Sequence, residues 1–337
     1  MNGNRLESLP PPPGVIGSLR AGFDAVSSHV ALILLPLALD VFLWLGPRLS
    51  VGNLYALMLE DWLKLNEKAG FPIANVDMVA QRVEVLGRFN FLVWVRTFPV
   101  GVPSLLLGQL PDSLPWQTPF GAQDVIQVPS VLSMLGWMFL LTLAGWVGGG
   151  LYFRWVSGTT LGDGGEAGVS PFRAILQTLF LSVIWMVGLT IIFLPVLLVL
   201  TVLAFISMAL ANLAIYLLLF FSFWVVVPLF FMPHGIFVQK QTALQSILHS
   251  LRMARFTLPM SSMFVFAVFV LSMGLNYLWS VPSGDSWMLL VGIAGHAFIA
   301  TALLSASFVY YHDMNAWLRI VLDQLQQQKK GVPTQQA

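Results

Sequence analysis

Apolar residues along this chain gather into long unbroken runs, and polar residues collect between them. A helix needs about 20 apolar residues to cross a bilayer, and inside lipid the backbone must hydrogen-bond to itself, so such runs become helices. About six crossings can be placed, near 29–46, 131–153, 174–205, 208–232, 260–279 and 287–311. The third and fourth come from one stretch, between Arg173 and Lys240, that holds no Asp, Glu, Lys or Arg. It is too long for a single span and reads as a hairpin turning between Ser207 and Asn212. A third crossing squeezed into 174–232 is the alternative, and it would invert everything after it. The polar turn VPSGDS, 281–286, joins the last two spans.

The expected fold is therefore all-α, a polytopic integral membrane helical bundle with amphipathic helices at its surfaces. Residues 1–27, with Pro10 to Pro13, read as a retained cytoplasmic tail rather than a signal peptide. Residues 28–312 form the membrane domain, interrupted by an exterior insertion at 47–130. Within the insertion Leu54, Leu57, Met58, Trp62 and Leu65 recur at helical spacing around Glu60, Asp61 and Lys64, which predicts an amphipathic helix. The apolar stretch 89–110 is broken by Arg96, Pro99 and Pro103, so an interfacial or re-entrant segment is expected there. Pro111, Pro115, Pro119 and Gly121 mark irregular loop. On the inner side, 241–256 sets Leu244, Ile247, Leu248 and Leu251 on one face of a surface helix. Residues 313–337 carry a second such helix, with Trp317, Ile320, Val321 and Leu325 on one face, then a tail.

Composition sharpens this picture. Of the 337 residues 57% are hydrophobic and 9% charged, against about 25% charged in a soluble domain. A net charge of +1 gives no electrostatic case for a nucleic-acid partner. Without cysteine the chain has neither disulfide nor thiolate chemistry. Arg5, Arg20, Arg154, Arg173, Lys240, Arg252, Arg255, Arg319, Lys329 and Lys330 fall on one side, whereas 280–286 holds no basic residue; the exterior segment 47–130 carries Arg48, Lys64, Lys68, Arg82, Arg88 and Arg96, but the rule weakens over so long a loop. By the positive-inside rule both termini are expected in the cytoplasm, with the protein in the plasma membrane.

Asp40 is the polar group that most needs an explanation, because a charged acid at a helix centre costs about 2.5–3.5 kcal/mol on insertion scales. It lies roughly 9 Å below the exterior end of its span, and His296 roughly 13 Å below the same boundary, at the usual helical rise. The two could meet, with Arg96 as a further member of an intramembrane polar site. A buried hydrogen-bonded arrangement and a proton or ion relay both fit. Gly145 and Gly149 have GxxxG spacing, and Ala297, Thr301 and Ser305 recur at intervals of four, a pattern for close helix packing. Histidines at 29, 234, 249, 296 and 312 are too scattered for a metal site. His312 and Asp313 read as a solvated helix end, and LGDGGEAG, 161–168, lacks the phosphate-loop pattern. No catalytic residue, cofactor or metal is expected.

One longer pattern stands out. PHGIFVQKQTALQSILHSLRMARF, an apolar span, and then GIAGHAFIATALLSASFVYYHDMNAWL follow in that order. Ala243, Ser250, Leu251 and Arg255 fit an A...S..L.R helix, and Tyr310, Tyr311 and Asp313 an aromatic span boundary. Over roughly 170–320 this resembles uncharacterised polytopic bacterial membrane proteins related to the integral membrane domain of glycerophosphodiester phosphodiesterases. The resemblance implies a helical membrane module without assigned catalytic residues. No HRG motif accompanies it, so the hydrolytic activity does not carry over. The expectation is a non-enzymatic multi-pass protein with an accessory, scaffold or lipid-organising role. Its partners would be membrane lipids, or a protein engaging 47–130 or the C-terminal helix. A small-molecule or ion transporter using Asp40 and His296, and a lipid-headgroup enzyme, are the alternatives.

Overall fold

The computed structural model describes residues 10–69, 89–108, 117–162 and 168–330. Among them the chain is all-α, with nine helices and two short strand pairs. The helices are α1 (Val15–Ser28), α2 (Leu34–Leu45), α3 (Gly52–Lys68), α4 (Val131–Leu161), α5 (Pro171–Ile206), α6 (Met208–Phe231), α7 (His234–Val238), α8 (Ala243–Trp279) and α9 (Met288–Lys330). Four of these, α4, α5, α8 and α9, are long and apolar enough to cross a membrane, and two broken helix pairs raise the number to as many as six.

Two compact units divide the chain. The first comprises 1–29, 153–271 and 302–337, the second 30–152 and 272–301. In the first, Val227 and Phe231 of α6, Met253, Phe264 and Val265 of α8, and Ala306, Tyr310, Tyr311 and Met314 of α9 form the core. Phe264 and Tyr310 stack at 4.1 Å between centroids. Ser246 and Ser250, one turn apart on α8, donate to the carbonyl oxygens of Met232 and Pro228. Those oxygens belong to the end of α6, where a helix has no partners of its own to offer. In the second unit Leu43 and Trp44 of α2 pack with Leu105, Leu106, Leu107, Leu289 and Ile293. Gln123 closes the end of α2 by donating to the carbonyls of Leu43 and Trp44.

Several expectations change at this level. The N-terminal segment is not wholly a tail: α1 occupies Val15–Ser28, and the Trp317 indole donates to the Pro10 carbonyl at 2.7 Å. The surface helix at 241–256 and the span at 260–279 are one helix, α8, which runs through Pro259. Beside Pro259, Thr257 Oγ1 donates to the Met253 carbonyl and meets Ser261 Oγ, both at 2.8 Å. The last span and the C-terminal helix likewise merge into α9, since no glycine or proline falls between Tyr310 and Lys330 to stop it. The uncharged stretch breaks at Ser207, whose extended backbone (φ −163°, ψ 126°) separates α5 from α6.

The insertion at 47–130 is more regular than loop. Arg48–Ser50 (β1) pairs in parallel with Val125–Gln127 (β4), so its two ends are joined. Gln117–Thr118 (β2) and Gly121–Ala122 (β3) form a small antiparallel pair. The amphipathic helix is present as α3, where the Lys64 ammonium, 2.6 Å from Glu60, holds that carboxyl below its usual range. Pro111, Pro115, the loop residues 163–167 and the tail 331–337 lie outside the described residues.

The helices on either side of Ser207, α5 and α6, expose much apolar surface. The most apolar window of α5 has a mean hydropathy of 3.0 and buries 0% of its residues. Phe193, Leu198, Phe205, Leu219 and Phe220 are all at least half exposed. An apolar surface that runs round a helix is the mark of a membrane span or of a helix covered by protein.

Gly22 of α1 and its neighbour Gly17 allow a direct check of the packing. A Cβ on Gly22 would run into the Ala306 amide nitrogen and the Ala302 carbonyl oxygen of α9, whereas one on Gly17 would meet nothing within 4 Å. Gly22→Ala should destabilise by about 1–3 kcal/mol, and Gly17→Ala should stabilise by about 0.5–1 kcal/mol. Thermal unfolding of the two variants in one detergent compares them; shifts of the same sign would refute the α1–α9 contact.

Candidate functional site

Asp40 lies on α2 with no exposed surface. Its partners come from the segment after Pro103. Ser104 Oγ donates to Oδ1, the Leu105 amide to Oδ2 at 2.8 Å, and the Leu106 amide to Oδ1 at 3.3 Å. Ser104 Oγ in turn accepts from the Leu107 amide at 3.1 Å. Together these groups start the short 3-10 turn Leu106–Gly108, whose first amides have no partner within the turn itself. The carboxyl supplies them, and the turn supplies the carboxyl.

Arg96 holds the other end of the same turn, with Nη1 donating to the Leu107 carbonyl at 2.9 Å. Its guanidinium also lies within electrostatic range of the His296 ring. His296 is 8% exposed, and its Nε2 has no hydrogen-bond partner among the described residues. The structure thus brings Asp40 and Arg96 to one turn and Arg96 near His296. The acid–imidazole meeting expected from the depths of the two residues is replaced by the Ser104 cap: every hydrogen bond of Asp40 goes to residues 104–106. Ser104 was not singled out from the sequence. A serine two residues ahead of a turn is a cap signal, but its partner is 64 residues away.

Gly145 and Gly149 of α4 accept close neighbours, but these are not a helix. A Cβ on Gly145 would strike the Val95 carbonyl oxygen, and one on Gly149 would come within 2.6 Å of Gly101 Cα. The irregular backbone from Val95 to Gly101 occupies the glycine groove. On α9, Ala297, Thr301 and Ser305 are fully buried. Tyr152 and Thr301 share a hydrogen bond of 2.7 Å, and Thr160 donates to Ser305 at 2.9 Å, so hydroxyls join α4 to α9.

His234 and His312 have quite different surroundings. His234 is buried, with Nε2 2.7 Å from Ser307 Oγ and its ring among Phe230, Phe231 and Phe308. His312 and Asp313 form an exposed pair at 2.9 Å. Among the described residues no group of three His, Cys, Asp or Glu side chains could hold a metal ion. Asp163 lies outside them.

The Asp40 cap makes a graded prediction. Asp40→Asn puts an amide donor where three donors already point, and should destabilise by about 1–3 kcal/mol. Ser104→Ala removes one donor and leaves both backbone bonds, so it should cost less, about 0.5–1.5 kcal/mol. Urea or thermal unfolding of detergent-solubilised protein orders the two, and an Asn variant as stable as the parent would contradict the cap.

Neither a protein-family model, nor a curated protein, nor a solved structure matches this chain.

Proposed function

We propose that this is a multi-pass protein of the plasma membrane that works without catalysis, as an accessory or scaffold component in contact with lipid. One observation carries the reading: the intramembrane acid is fully committed to holding a turn, while the most apolar window of α5 and much of α6 are left exposed. A relay needs a group that can exchange protons with water, and Asp40 has no exposed surface. A lipid-headgroup enzyme needs acid and base groups brought together, whereas His234 is enclosed by aromatic rings and His312 sits outside with Asp313. We also keep, as part of this proposal, the kinship with membrane modules related to those fused to glycerophosphodiester phosphodiesterases. A protein partner has a place to dock at α3, where Leu57, Met58, Trp62 and Leu65 are each more than half exposed.

Orientation belongs to the same proposal. Both ends of the chain face the cytoplasm, and the turn at 281–286 faces outward. Reporter fusions at the two ends, together with a small tag at Ser283, test this: the ends should report from one side and the tag from the other. Ends on opposite sides would overturn the arrangement. Reconstituted into vesicles holding a pH-sensitive dye, the protein should give no proton flux above protein-free vesicles. A flux abolished by Asp40→Asn, in a variant that still folds, would establish the transport reading instead.

A further inference from the structure

The chain enters α1 through four successive prolines, Pro10 to Pro13, and Gly14. Each proline ring fixes its own φ at about −65° and forces the residue before it out of the helical region, so the run is set as an extended polyproline helix. Gly14 keeps that backbone (φ −78°, ψ 138°), and α1 starts only at Val15. A polyproline helix repeats every three residues, so its i and i+3 positions share a face. Here Pro10 and Pro13 are partly buried, while Pro11 and Pro12 are exposed. One ridge of the proline helix is seated on the protein.

Its seat is α9. The Trp317 indole donates to the Pro10 carbonyl at 2.7 Å. Trp317 and Leu318 of α9, like Val15 and Leu19 of α1, pack against the core cluster of the first unit. A polyproline helix bonds none of its own carbonyls, so an indole offers it both a flat apolar wall and a donor. The seat is longer than its occupant. Gly22 of α1 faces Ala302 and Ala306 of α9, and Pro10 faces Trp317, so the segment runs antiparallel to α9. Beyond Trp317 the same stripe continues with Val321, partly buried, and with Gln324, whose Oε1 has no hydrogen-bond partner among the described residues. Seven residues of α-helix span about 10 Å, and one turn of polyproline helix about 9 Å. A ligand residue one turn before the one at Trp317 therefore falls level with Gln324.

We propose that this stripe of α9, from Trp317 to Gln324, is a docking site for a proline-rich segment of a partner protein, and that the chain's own Pro10 to Pro13 fill part of it until that partner binds. The kind of occupant follows from the one already seated there. A longer ligand keeps the indole bond and adds Gln324, whose Oε1 accepts from the N–H of a non-proline residue three places before the one at Trp317. That added contact is what lets a partner displace a tethered segment, which competes at high effective concentration. The proposal names a partner for the scaffold reading and rests on it for the partner's purpose; the fit to α9 does not depend on it.

The test uses the full chain in a non-ionic detergent and a fluorescein-labelled peptide with the sequence of residues 6–15, LESLPPPPGV, read by fluorescence anisotropy. A peptide with alanine in place of all four prolines is the control. The parent should bind the proline peptide weakly, because its own segment competes. Pro10→Gly with Pro13→Gly loosens that segment, and the doubly substituted protein should bind roughly tenfold more tightly. Adding Trp317→Phe keeps a ring and removes the donor, and should weaken binding again by about fivefold. Gln324→Leu in the same background should act likewise, whereas Trp155→Phe, at an exposed tryptophan of α4, should change nothing. No binding to the loosened protein, equal binding of the two peptides, or binding that Trp317→Phe leaves unaltered overturns the site. A concentration-dependent dimer of the parent that Trp317→Phe dissolves would assign the stripe to a second copy and overturn the partner. Peptide binding reads the stripe whether or not the reconstituted protein carries a proton flux, so failure of the scaffold reading is told apart from failure of this site.

Discussion

A polar group that hydrocarbon surrounds must find its partners within the chain, and most of this structure can be read as a way of meeting that demand. Asp40 meets it with Ser104 and two backbone amides, and in doing so fixes where residues 104–107 lie. Once that turn is placed, Leu105, Leu106 and Leu107 become the wall against which Trp44, Leu289 and Ile293 pack. Arg96 can then reach the Leu107 carbonyl. The costly residue of α2 is thus also the one that organises the core of its unit. An alanine at 40 would pass more easily into lipid, but it would leave three donors unanswered.

The same demand is met repeatedly by hydroxyls. Ser246 and Ser250 answer carbonyls at the end of α6, and Thr257 and Ser261 steady α8 around Pro259. Tyr152 with Thr301, and Thr160 with Ser305, join α4 to α9. Serine and threonine suit this work because they are small enough to let helices approach and still carry a donor. The ion pairs of Arg20 with Asp24 and of Lys64 with Glu60 lie on exposed faces.

How far the sequence discloses this depends on whether a signal is local. Long apolar runs announce α4, α5, α6, α8 and α9, since crossing a bilayer leaves a mark on every residue of the helix. The spacing of Leu54, Leu57, Met58, Trp62 and Leu65 announces α3 for the same reason. By contrast β1 and β4 are three residues each and meet across 77 positions, from Arg48 to Val125; no alternation can develop in so short a strand. The merging of 241–256 with 260–279 was hidden by Pro259, which usually marks a boundary, and by the charges on Arg252 and Arg255. Depth along a helix placed Asp40 and His296 at similar levels, but depth carries no information about which face each presents.

Glycine shows how one residue type can signal two different structures. Gly145 and Gly149 have the spacing of a helix-packing motif, and a second helix is the usual occupant of such a groove. Here the groove takes the backbone of residues 95–101 instead. That segment contains Arg96, Pro99 and Gly101, so it cannot bury itself as a regular helix, and its peptide groups need a neighbour without side chains. Irregular backbone at membrane depth is tolerated only where protein covers it. The small face of α4 provides that cover, which explains why its glycines face a loop while the hydroxyl contacts to α9 fall at Tyr152 and Thr160.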